Sequence, residues 1–263
     1  MQVLQVNTLP AKGLQINLMT LKKGQKTVLL FHAERGRVYG AGDPTHYSTF
    51  LKSRPQKLET DAIQFIIERH QKYPELRCHV VHLSAANALP LIRKAKATGI
   101  NITVETCFHY LCLSSNDIPD GRPEFKCCPP IRDEDNRNLL WEALEDGTID
   151  FVVSDHSPCV AELKVIEERN VMEAWGGIST LGLGLSLLWT EGRKRGLSLG
   201  KILNWTSRRT AEHAGIGHRK GQLKVGYDGD LVLWDSEAEF EVRPFNESIG
   251  ICLILPPRSL RRG

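Results

Sequence analysis

The chain has 263 residues, of which 41% are hydrophobic and 25% charged, the balance of a soluble globular protein large enough for one α/β domain or two small ones. Its 34 basic and 31 acidic residues leave a formal charge of +3, too small an excess to point to nucleic acid or an anionic membrane surface. No apolar run reaches the length of a membrane span, so neither nucleic acid nor membrane is expected as a partner.

Seven cysteines, Cys78, Cys107, Cys112, Cys127, Cys128, Cys159 and Cys252, are odd in number and mostly lie in or beside apolar runs. They read as reduced thiols in an intracellular protein. Neither Cys107-x4-Cys112 nor the adjacent Cys127–Cys128 pair has zinc-ribbon spacing. Residues 1–26 show no clean periodicity apart from helical character around Leu14 to Leu21, bounded by Gly13 and Gly24. They hold Lys12, Lys22, Lys23 and Lys26 but neither arginine nor serine, unlike an organelle-targeting peptide, which leaves a cytoplasmic location as the expectation.

From Lys26 the pattern becomes regular. KTVLLF, Lys26 to Phe31, is a compact strand run ending in His32, Ala33 and Glu34. A polar loop from Asp43 to Pro55 leads into an amphipathic helix over Lys57 to Tyr73, stopped by Pro74. Cys78 to Leu83 is a second strand run, with His79 and His82 three residues apart and therefore on opposite faces. His82, at the carboxyl end, is the site candidate; His79 is structural. A helix over Asn87 to Thr98 precedes a third strand run, Ile100 to His109, with Glu105, Thr106 and His109 at its end. Asp133 caps a helix ending at Glu145, and Ile149 to Val153 forms a fourth, β-branched strand followed by Ser154, Asp155, His156 and Ser157. Further on, helices are expected over Ile178 to Trp189 and Leu199 to Gly215, and a strand over Asp230 to Asp235.

Strand and helix alternate with short connections, the signature of parallel βα units. The carboxyl ends of such strands lie on one side of the sheet. His32, His82 and Asp155 therefore converge although they are distant in sequence. Each alone also has a structural reading, as a satisfied histidine or an Asx turn. Together, two imidazoles and a carboxylate form a ligand set suited to a catalytic zinc or related divalent ion.

Longer motifs carry a resemblance. FHAE at 31–34, HVVHLS at 79–84, ETCFHYL at 105–111, FKCCPPIR at 125–132, SDHSPC at 154–159, AWGGI at 174–178 and KGQLKVGYDGDLVLWD at 220–235 resemble the allantoinases, members of the cyclic amidohydrolases alongside dihydroorotase and dihydropyrimidinase. The resemblance implies an α/β fold: the C-terminal part of a TIM-type (β/α)8 metal-dependent hydrolase barrel with a residual small β-sandwich element. It implies a divergent segment at 1–26, a partial barrel at 27–219, the sandwich element at 220–242 and a divergent tail at 243–263. It further implies hydrolysis of the allantoin ring to allantoate by two zinc-type ions bridged by a carboxylated lysine. His32 and His82 match the histidines of one metal. Asp155 matches the ligand of the other and the general base and acid. Cys128 and Ser157 match substrate-facing positions. The family pattern also contains an HxH pair on its first strand and the lysine on its fourth, and this sequence has no HxH. The resemblance begins at what would be the fifth strand, as in a truncated product. Little or no turnover by the chain alone is therefore expected, with a non-catalytic interaction role as the alternative and dihydroorotase or hydantoin hydrolysis as a weaker one. Open strand edges make self-association a further expectation.

Overall fold

The computed structural model describes residues 2–5, 28–36, 38–241 and 259–261. Its centre is a parallel sheet in the order β1 (Gln2–Gln5), β2 (Val28–His32), β3 (Arg77–Val81), β4 (Ile102–Cys107) and β5 (Phe151–Val153). Every neighbouring pair is parallel, with registers such as Leu30↔His79, Val80↔Val104 and Cys107↔Val153. Parallel neighbours require crossovers, and helices supply them. The chain passes through α1 (Tyr47–Ser53) and α2 (Lys57–His70) between β2 and β3, and α3 (Leu89–Ala97) between β3 and β4. Helices α4 (Phe108–Cys112) and α5 (Glu134–Glu145) lie between β4 and β5.

The elements form for local reasons that the residues make plain. The apolar stripe of α2, with Ala62, Ile63, Phe65 and Ile66 buried, packs into the core with Leu29, Phe31 and Val80. Asp133 caps α5 as expected, its carboxylate accepting from the Asn136 N–H at 2.9 Å. Glu134 and Asp135 complement the positive end of that helix.

Five readings need correction. The stretch Asp43 to Pro55, expected as a polar loop, contains helix α1, whose Tyr47, Thr49 and Phe50 are buried. Strand β4 stops at Cys107, so His109 belongs to the following helix rather than to the strand. Helix α6 spans Gly184–Lys194, later than Ile178 to Trp189, because Ile178 is held in a parallel bridge with His156. The helix expected over Leu199 to Gly215 is α7 (Leu199–Leu203) continued by a π turn, Asn204–Arg208, and α8 (Arg209–His213). Asp230 to Asp235, expected as a strand, joins no ladder: Leu231, Val232 and Leu233 are exposed, and no described strand runs beside them. An alternating run becomes a strand only where a neighbour takes up its backbone groups. The segment is instead tied down by Trp234 packing edge-on against Trp189, 5.8 Å between centroids, and by Trp189 Nε1 donating to the Ser236 carbonyl. The described two-stranded ribbon is β6 (Glu239–Glu241) with β7 (Ser259–Arg261), antiparallel. The helical character around Leu14 to Leu21 lies outside the described residues.

Strand β1 was not legible in the sequence either. Gln2–Gln5 pairs in parallel with β2, from Gln2↔Leu29 to Gln5↔His32, and occupies the sheet edge beside the first predicted strand.

Candidate metal and catalytic site

His32 is the last residue of β2, His82 follows β3, and Asp155 lies two residues beyond β5, all at the carboxyl edge of the sheet. His82 and Asp155 both have φ of +43°, a left-handed conformation that few non-glycine residues adopt. Backbone strain of this kind persists where surrounding structure enforces it, and it concentrates at functional sites. Here it turns both side chains out of the strand direction at the sheet mouth.

His32 Nδ1 lies 2.9 Å from His82 Nε2, and the rings meet edge to face at 4.6 Å. Two imidazole nitrogens aimed at one another at this distance require a proton or a cation between them. His82 is buried, and burial, reinforced by His32, pulls its pKa from 6.5 down to about 3, so the neutral ligand form is favoured. Its Nδ1 has no hydrogen-bond partner. On the other side of His32, Nε2 is 3.0 Å from Glu34 Oε2, and Arg54 donates to the same carboxylate. Burial pushes the Glu34 carboxyl upward, but His32 and Arg54 more than offset it and hold it below the usual range. A carboxylate behind a histidine fixes its tautomer and leaves the opposite nitrogen free as a ligand. Glu34 and Arg54 thus orient His32, a role that the FHAE motif did not reveal.

Asp155 is exposed at the mouth. Partial burial and the Glu105 carboxylate raise its pKa, while His32 lowers it. A carboxylate with a raised pKa is better suited to accept and return a proton than an unperturbed one. His79 takes no part in this group: it stacks on Phe151, with Nδ1 2.8 Å from Thr103 Oγ1 and Nε2 3.0 Å from Glu105. That agrees with the strand alternation.

Cys128 and Ser157 are partly buried and flank the same mouth through the AWGG loop. A Cβ on Gly176 would stand 2.8 Å from Cys128 Sγ, and one on Gly177 would stand 2.5 Å from Ser157 Oγ and 2.7 Å from its carbonyl. Only hydrogen fits at either position, which explains the paired glycines. Lys164, buried, secures both loops by donating to the backbone carbonyls of Lys126, Trp175 and Gly177. The Gly177→Ala variant is expected to displace Ser157 and cost about 1–3 kcal/mol in a urea titration, as overpacking does. A cost below a few tenths of that would mean the loop yields freely.

A group that the sequence reading missed stands beside these residues: one ligand atom each from Cys107, His109 and Asp155 lies within 4.8 Å of the others. In the sequence His109 reads only as a polar residue at a strand end. Cys107 ends β4, Asp155 lies two residues beyond the adjacent β5, and His109 is in the first turn of α4.

Comparison with known proteins fits this arrangement. Allantoinase from Saccharomyces cerevisiae is 45% identical over 225 residues, covering 83% of this chain and 48% of that protein. A mitochondrial allantoinase from Aquarana catesbeiana is 50% identical over 221 residues, covering 83% and 45%. The chain therefore spans about half the length of these relatives. Among solved structures, the L-hydantoinase (dihydropyrimidinase) of Arthrobacter aurescens superposes with a TM-score of 0.77 at 29% identity, covering 83% of this chain and 50% of that one. Dihydropyrimidinase from Brevibacillus agri gives 0.85 at 26% identity, covering 99% and 60%. The parallel sheet and its helices are thus part of a TIM-type barrel. The Amidohydrolase family model matches residues 51–252, well over half of the sequence, and the chain belongs to that family.

Proposed function

We propose that this chain provides the carboxyl-end half of an allantoinase-type site, for metal-dependent hydrolysis of the allantoin ring to allantoate. The observation that carries the reading is the pair His32 Nδ1 and His82 Nε2, 2.9 Å apart, with Asp155 at the same edge. The neutral state of the buried His82 ring and the Glu34 support behind His32 suit a divalent ion of the zinc type. Such an ion, when bound, activates a water and polarises the ring carbonyl. His32 and His82 would hold it. Asp155 accepts the proton of the attacking water and returns it to the ring nitrogen as the amide C–N bond breaks. Cys128 and Ser157, fixed by the glycine loop, face the substrate.

A second reading, a non-catalytic amidohydrolase-like protein, has its own observation. β1 pairs along β2 at the edge where the resemblance puts the lysine-bearing strand, and Gln2–Gln5 contains no lysine. On the first reading, the HxH pair and the lysine come from residues outside this sequence.

Allantoin hydrolysis by the purified chain with Zn²⁺ separates the two. Alone it is expected to stay near background. With a co-expressed polypeptide carrying the first four strands of an allantoinase, turnover is expected to appear, and Asp155→Asn should abolish it. No turnover in the mixed complex would leave the non-catalytic reading, and faster hydrolysis of dihydroorotate or a hydantoin would replace the substrate.

A further inference from the structure

We infer that Cys107, His109 and Asp155 form a thiolate-containing site for a single divalent transition metal, separate in its donor set from the His32–His82 pair. The inference shares Asp155 with the proposed function but stands on different observations. The three donor atoms already lie within 4.8 Å of one another. His109 is 1% exposed, and neither Nδ1 nor Nε2 has a hydrogen-bond partner. A buried imidazole with both nitrogens unsatisfied carries a desolvation cost that a bound ion removes. The same three residue types could form a hydrogen-bonded nucleophilic triad, but that arrangement needs His109 bonded to both neighbours, and it is bonded to neither.

Placement supports the assignment. Cys107 closes β4 opposite Val153 of β5, and Asp155 follows two residues later on the same edge. Asp155 is exposed, so an ion has a path from solvent, while Cys107 and His109 are buried beneath it. At ordinary zinc distances, about 2.0 Å to nitrogen or oxygen and about 2.3 Å to sulfur, these tetrahedral donors stand about 3.3–3.5 Å apart, so closure needs side-chain movements of about 1 Å. Binding transfers the Cys107 thiol proton to solvent and forms the metal–sulfur bond; no electron is transferred. One thiolate, one imidazole and one carboxylate favour Zn²⁺ or Co²⁺ over Mg²⁺ or Ca²⁺.

Titration of the purified full chain with Co²⁺ alone tests the site by absorption spectroscopy. A thiolate-to-cobalt charge-transfer band saturating at one equivalent is expected, together with the intense visible bands of four-coordinate cobalt. Cys107→Ser should remove the charge-transfer band and weaken Zn²⁺ competition by more than ~100-fold, since losing even an outer-shell partner costs 10–100-fold. His109→Gln should weaken it similarly, with the far-UV spectrum showing that both variants are folded. The double variant His32→Ala/His82→Ala should keep the band. Cobalt binding without a thiolate band, a band that survives Cys107→Ser and disappears in Cys127→Ser or Cys128→Ser, or no binding by the folded chain would each overturn the assignment. Loss of the band in the His32/His82 variant would show that the metal sits with the histidine pair instead.

Discussion

Acidifying the metal-free chain below pH 6.5 is expected to unfold it steeply, with His82 and His109 each removing about 1.4 kcal/mol of stability per pH unit. Burial pulls both imidazoles from 6.5 to about 3; His32 adds to the effect at His82, and His82 and Lys164 add to it at His109. The folded pKa is the depressed one. Between these two values the unfolded chain binds protons that the folded chain refuses, so stability is complete above about 6.5 and falls as the pH drops toward 3. Together the two groups remove roughly 4 kcal/mol by about pH 5, against the 5–15 kcal/mol of an ordinary domain. Urea unfolding in the presence of a chelator, followed by circular dichroism between about pH 7 and pH 5, measures the slope. His109→Gln should halve it. A flat profile in the parent chain would mean that both rings keep access to water. Added Zn²⁺ should raise stability most at the alkaline end, because ligands must be deprotonated to bind.

The Arg132→Met variant is expected to cost about 3–5 kcal/mol, the penalty for leaving one charge of a buried pair uncompensated. Arg132 donates to Glu59 Oε1 at 2.6 Å, with side-chain exposures of 7% and 2%. The other carboxylate oxygen accepts from the N–H groups of Ser84 and Ala85 at 2.9 and 3.0 Å. Burial raises the Glu59 pKa and Arg132 opposes the rise, so removing Arg132 drives the carboxyl toward its neutral form. The damage is local as well as global. Ser84 and Ala85 lie two and three positions after His82, whose positive φ depends on how the chain leaves β3. A variant that stays folded should therefore also bind divalent metal less tightly at the His32–His82 pair. Glu59→Gln combined with Arg132→Met should cost less than the sum of the single changes, because both act on one network. A cost under about 1 kcal/mol for Arg132→Met would mean that water reaches the Glu59 carboxylate, as at a surface pair.

How much of the site could be read in advance follows from the range over which each feature is encoded. Strand ends were legible to within two residues because apolar, β-branched runs stop visibly, and all parallel strands present their carboxyl ends on one side. That places His32, His82 and Asp155 together without coordinates. The separation of His79 from His82 also follows from alternation alone. The expected strand over Asp230 to Asp235 failed for the complementary reason: its pattern is right, but no described neighbour takes its hydrogen bonds. Gln2–Gln5 is the reverse case, a short stretch without a clear pattern that becomes a strand because β2 offers an edge. Tight contacts were equally out of reach. Gly176 and Gly177 are needed because Cys128 and Ser157 lie against them, and those residues are 48 and 20 positions away.

By itself the sequence determined the βα order, the Asp133 cap and the side of the sheet on which the site lies, because these depend on residues within a few positions of one another. Only the tertiary structure decided which donors meet: the Glu34–Arg54 support behind His32, the left-handed turns at His82 and Asp155, and the approach of Cys107 and His109 to Asp155. These are contacts between strand ends and loops, and their distances are set by packing and register, which no local pattern encodes.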